Sequence, residues 1–160
     1  IMGQALQNLL DEYGESHKNA LNKTIHWICV PLIFFSIVAL IYSIPSGLLS
    51  GAFGESIWNN WATLTLVAVL IYYVRLSPSI AVGMFLFGAA CLAACYWLVL
   101  TFSTPLWLTA VIIFVLAWIG QFYGHKVEGK KPSFLKDLQF LLIGPAWLMH
   151  FLYKKWGVKY

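Results

Sequence analysis

HWICVPLIFFSIVALIYSI, residues 26–44, contains no Asp, Glu, Lys or Arg. A helix needs about 20 apolar residues to cross a bilayer core, so the stretch predicts a transmembrane helix. Three more runs read the same way: WNNWATLTLVAVLIYYV (58–74), IAVGMFLFGAACLAACYWLVLTF (80–102) and LWLTAVIIFVLAWIGQFYG (106–124). Together they predict an all-α integral membrane helical bundle with four transmembrane helices. Composition agrees: the 160 residues are 61% hydrophobic and 10% charged, against about 25% charged in soluble domains. Eight Trp and eight Tyr, many at the edges of the runs, fit interfacial aromatic belts. The length admits a single membrane domain, 1–160, and no second soluble one.

Outside the spans the chain changes character. QALQNLLDEYGESH (4–17) sets Leu6, Leu10, Tyr13 and His17 at helical spacing on one face, with Asp11, Glu12 and Glu15 elsewhere. That predicts an amphipathic surface helix. PSGLLSGAFGES (45–56) reads as a loop. FLKDLQFLLIGPAWLMHFLY (134–153) carries Lys136, Asp137 and Gln139 early and Gly144-Pro145 in its middle, so it reads as a bent, non-spanning re-entrant or interfacial helix pair.

Charge sets the sidedness. With a cytoplasmic N-terminus, four spans keep Lys18, Lys23, Arg75, Lys126, Lys130, Lys131 and Lys136 inside, and both outer loops lack Lys and Arg. A complete fifth span would expel Lys154, Lys155 and Lys159. The net charge of +4 thus reads as membrane topology, not nucleic-acid binding. Cys29, Cys91 and Cys95 lie inside apolar runs and read as small buried hydrophobes. On α-helical spacing Gly83, Phe87, Cys91 and Cys95 share a face suited to close packing.

The chain has four histidines, and the topology gathers them. His17 ends the surface helix, His26 opens span one and His125 closes span four, all at the cytoplasmic face. His150 returns there if the C-terminal segment doubles back. Gln121, His125 and Glu128 fall at i, i+4 and i+7, one stripe of a helix. Neutral imidazoles suit iron, zinc, copper or nickel, and a carboxylate can ligate or orient them. Each residue also has a plainer reading. A lone interfacial His is commonly a snorkelling side chain, Asn22 an N-cap, and Glu128 a solvated loop charge. Lys18 and Lys23 are topology signals that would also offer counter-charge to a fatty-acid carboxylate.

Two motifs now carry a resemblance. Tyr13-x3-His17-x4-Asn22-x3-His26-x4-Pro31 and Gln121-Phe122-Tyr123-Gly124-His125-x2-Glu128-x3-Pro132 flank the apolar spans. In that order they resemble the membrane-bound 2-hydroxy fatty acid dioxygenases of alpha-oxidation, from Tyr13 to about Pro145. The resemblance implies an Fe(II)-dependent oxygenase acting on a long-chain 2-hydroxy fatty acid and O2 to give an aldehyde one carbon shorter. It implies His17, His26 and His125 as metal-holding catalytic residues, with Tyr13, Asn22, Gln121 and Glu128 as supporting or substrate contacts. Cys29 stands where the family has Gly, Ser133 where it has Ala, and His150 where it has an acid, which leaves open whether His150 is a fourth metal ligand. The expected location is a bacterial inner membrane or the endoplasmic reticulum, with the site on the cytoplasmic side. Two other classes fit the histidines: a bis-His haem electron carrier and a non-enzymatic membrane adaptor with pH-sensitive histidines. A zinc hydrolase would want His-Glu-x-x-His, which the chain lacks.

Overall fold

Every regular element among the described residues is helical. A computed structural model describes residues 2–15, 17–129 and 140–160. Lys130, Lys131, Pro132, Ser133, Lys136, Asp137 and Gln139 lie outside the described residues, as does the start of the 134–153 segment.

The amphipathic stretch forms α1 (Met2–Glu15), which buries Leu6, Leu10 and Tyr13, the face its spacing defines. The chain then turns, His17 N–H meeting Gly14 O at 3.1 Å. α2 (Ala20–Tyr42) starts at Asn19, whose Oδ1 accepts from Leu21 N and Asn22 N at 2.9 and 3.3 Å. That is ordinary N-cap chemistry, satisfying donors the first turn leaves open. Asn22, the cap offered by the sequence, is therefore inside the helix. At 1.5 Å per residue α2 is about 35 Å long, more than a bilayer core.

The stretch read as a loop contains a short helix, α3 (Gly47–Phe53). Its residues tolerate helix, and Gly54, with φ 85, ends it in a backbone region open to glycine. Leu48 and Phe53 are exposed on it. α4 (Trp61–Leu76) is capped by Asn60, which accepts from Thr63 N at 2.8 Å. Ser77 caps α5 (Pro78–Thr101), with Pro78 in its first turn where a missing N–H costs nothing. α6 (Leu106–Glu128) runs one turn past the expected end and stops at Gly129, which is left-handed.

Three of these helices, α2, α5 and α6, are long and apolar enough to cross a membrane, with mean hydropathies of 2.3, 2.0 and 1.9. The remaining expected span, α4, is apolar but has only 16 residues and falls short of that length. The C-terminal helix, α7 (Ile143–Trp156), holds Gly144-Pro145 in its first turn, so among the described residues the pair sits at a helix start and not at a mid-helix break. Proline is tolerated there for the same reason as Pro78.

Packing explains how the ends come together. α2 and α6 make the most extensive contact, and α4 pairs with α5. On α6, Gly120 faces Cys29, where an added Cβ would lie 2.6 Å from Sγ, and Gly124 lies directly against Asn22. Small residues one turn apart let two backbones approach without side chains between them. Gly83, Cys91 and Cys95 are buried on α5 as their spacing predicts, and all three cysteines are free and buried. α7 docks on α1, α2 and α5. Two buried tyrosines hold it: Tyr73 Oη donates to Leu142 O at 2.5 Å, and Tyr153 Oη donates to Ser79 O while accepting from Gly83 N at 3.1 Å.

Candidate functional site

The turn between α1 and α2, the first turns of α2 and the last turns of α6 bring three imidazoles into contact. The His17 and His26 ring centroids are 4.1 Å apart, edge to face, and His125 lies 5.5 Å from His26 and 6.0 Å from His17. All three are at least nine-tenths buried. His17 Nδ1 meets Tyr13 O at 2.6 Å, and His26 Nδ1 meets Asn22 O at 2.9 Å. A carbonyl only accepts, so Nδ1 carries the proton in both rings and Nε2 carries the lone pair. That is the tautomer and the backbone support that metal-bound histidines commonly have. Tyr13 stacks on His17 at 4.2 Å with the rings 9° from parallel.

Glu128 joins the two halves of this arrangement. Its Oε1 accepts from Lys18 N at 3.0 Å, and its Oε2 accepts from Asn19 N at 2.8 Å and Asn22 Nδ2 at 3.1 Å. A carboxylate over the open amides of a helix N-terminus is favourable by charge as well as by hydrogen bonding. Both oxygens are thus spent on orienting the chain that carries His17 and His26. Lys18 enters through its backbone N–H; its side chain is exposed, and Lys23 is half-buried on the same rim.

Gln121, one turn deeper than His125 on α6, is 6% exposed. It lines a cavity of about 20 Å³ with Tyr13, Val30, Ile33, Trp118 and Gly144. Among the described residues its Oε1 has no hydrogen-bond partner.

His150 is not among the gathered rings. It donates through Nδ1 to Trp147 O and touches Phe151, Trp147 and Tyr160, at 4.2, 6.4 and 5.9 Å between centroids. α7 does return to this end of the bundle, but the ring it lays on His17 is that of Trp147, at 5.3 Å. Trp147 is buried, and it also packs on Tyr13 at 5.2 Å. Sequence reasoning missed it: among eight tryptophans it looks like one more interfacial aromatic. Gly120 and Gly124 are legible in spacing alone, as small residues four apart, but only the fold supplies the surfaces they meet.

The donor set fits an ion in kind. Two imidazoles sharing one metal through Nε2 bonds of about 2.1 Å have ring centroids roughly 4.5–6.4 Å apart, close to the three separations here. Among the described residues, however, no group of three or more His, Cys, Asp or Glu is arranged to hold a metal ion. The ring spacing is thus near that of a shared cation, without a formed metal site among the described residues.

Helices throughout the described residues, three of them long and apolar enough to cross a membrane, define a membrane-compatible all-helical protein with a buried histidine cluster at their ends. The chain matches the family described as "2-hydroxy-palmitic acid dioxygenase Mpo1-like" over residues 4–156, and it belongs to that family. No curated protein and no solved structure matches it.

Proposed function

We propose that the protein is an Fe(II)-dependent dioxygenase that converts long-chain 2-hydroxy fatty acids to aldehydes one carbon shorter. The observation that carries this is the contact of His17, His26 and His125, two of them held in the Nδ1–H tautomer by backbone carbonyls. These three would hold the metal. Iron, when bound, supplies the redox chemistry by which O2 and the 2-hydroxy acid react. The protein's own part is placement. Glu128 and Asn22 fix the α1–α2 turn against α6. Tyr13 and Trp147 cover His17 and keep water from it. Lys18 and Lys23 offer counter-charge to the substrate carboxylate at the rim. His150, outside ring contact with the three, is left with a packing role.

The acyl tail would take an apolar route between the helices. A fissure of about 130 Å³ lies between α2, α5 and α7, lined by Trp27, Pro31, Met84, Phe87, Leu148 and Met149. Burial there would contribute about 0.8 kcal/mol per methylene, which favours long chains. In this reading α4 is a fourth, short crossing, α1 and α7 lie at the interface, and the histidines face the cytoplasm as part of one membrane domain.

The test is anaerobic loading of detergent-purified protein with Fe(II), followed by 2-hydroxypalmitate and O2. Stoichiometric iron and pentadecanal are expected. His17→Ala, His26→Ala and His125→Ala should each lose iron and aldehyde together. Full iron occupancy in those variants, or a Soret band in the purified protein, overturns the reading.

A further inference from the structure

The Gln121 side chain poses a problem that the histidine cluster does not solve. A buried amide without partners costs free energy, because water that once satisfied it has been removed. Among the described residues Gln121 Oε1 stands in that position, in the wall of the cavity between α1, α2, α6 and the start of α7. At about 20 Å³ the cavity takes one hydroxyl-sized group and not an alkyl chain. It has polar edges as well: Tyr13 and Trp118 line it beside Gln121.

Its place in the fold identifies what could enter. Gln121 is one turn from His125, and Val30 is one turn from His26, each toward the middle of its helix, so the cavity lies next to the imidazoles on that side. Tyr13 belongs to both places, stacking on His17 and lining the cavity. A hydroxyl set between cavity and cluster would point its oxygen at the imidazoles and its proton at Gln121.

We infer that Gln121 and this cavity read a hydroxyl group, the 2-hydroxyl of the substrate, by accepting its proton in a hydrogen bond at Oε1. A water molecule fills the same place when no substrate is bound. The choice of substrate rests on the dioxygenase reading; the demand for a donor at Gln121 does not. A site built to pair with a hydroxyl rejects the analogue that lacks one, since the amide is then left buried and unpaired. Gln121 is in this sense a specificity-determining residue.

The experiment compares 2-hydroxyoctanoate with octanoate by calorimetric titration of the metal-free protein in lipid nanodiscs, with empty nanodiscs as the blank. The wild type should bind the hydroxy acid roughly 10- to 100-fold more tightly, the worth of one buried hydrogen bond left unmade. Gln121→Leu should erase that preference, so that the two acids bind with the same affinity. Val30→Ile keeps the amide but puts a methyl group into the cavity, and should reduce the preference too; it decides the matter if Gln121→Leu fails to fold. Equal affinities in the wild type, no binding of the hydroxy acid, or full preference in a folded variant each overturn the inference. Because no metal is present, a failure to bind iron leaves this result standing, and failure here leaves the iron assay untouched.

Discussion

Glu128 is the residue on which the geometry of the site turns. Remove its carboxylate and two backbone N–H groups and the Asn22 amide lose their acceptor together. Glu128→Ala should cost about 1–3 kcal/mol in unfolding free energy. If the histidines hold iron, it should also weaken iron affinity roughly 10- to 100-fold, as loss of supporting contacts does elsewhere. Unfolding in detergent and competition with a chelator would read the two effects. His150 makes a separate prediction. Burial pulls its imidazole below the ordinary value, partly opposed by the Trp147 carbonyl that Nδ1–H meets. The unfolded chain takes a proton near pH 6.5 that the folded chain refuses, so stability is full above that pH and falls as pH drops through it. His150→Gln should flatten that fall, measured as the difference in thermal midpoint above and below pH ~6.5. At this scale the sequence shows which residues matter better than what they do. Asn22 reads as a cap by position, and only the hydrogen bonds from Leu21 N and Asn22 N to Asn19 Oδ1 show that Asn19 holds that place. Trp147 stays hidden because a side chain's residue type does not say which ring it covers.

Helix positions are legible wherever hydropathy sets them, and least so where a cap does. α2 begins at the Asn19 cap and not where the apolar run starts, and α6 continues through further polar residues because nothing stops it before Gly129. α3 is not legible because seven residues carry too little periodicity to distinguish helix from loop. The contact between α2 and α6 has a direct test. Gly120→Ala forces a methyl group onto Cys29 Sγ, and overpacking of this kind typically costs about 1–3 kcal/mol. Cys29→Ala removes the opposing sulfur, so the double variant should recover most of the loss. Thermal unfolding of the two single variants and the double one gives the coupling between the positions. Additive losses would mean that the two backbones do not approach as closely as the structure places them.

For the molecule as a whole, the distribution of lysines and arginine predicts a sidedness that labelling can test. If Lys18, Arg75 and Lys126 share the cytoplasmic face, a cysteine placed at Lys126 should react with an impermeant maleimide only after the membrane is opened. One placed at Ser56 should react in intact cells or right-side-out vesicles. The native thiols are buried and provide a quiet background. Labelling with the opposite pattern would invert the topology. Charge distribution is the whole basis for this orientation. It carries no information on the length of α4, since Asn60 and Ser77 fix the ends of that helix by hydrogen bonds and not by greasiness.

The cluster also draws on distant parts of the chain: His17 comes from the α1–α2 turn, His26 from α2, His125 from α6, and the ring that shields His17 from α7. A ribosome making this protein has released most of the polypeptide before the third imidazole exists, and nearly all of it before Trp147 arrives to close the roof. On the dioxygenase reading, products terminated before His125 would lack one of the three imidazoles and should form no aldehyde.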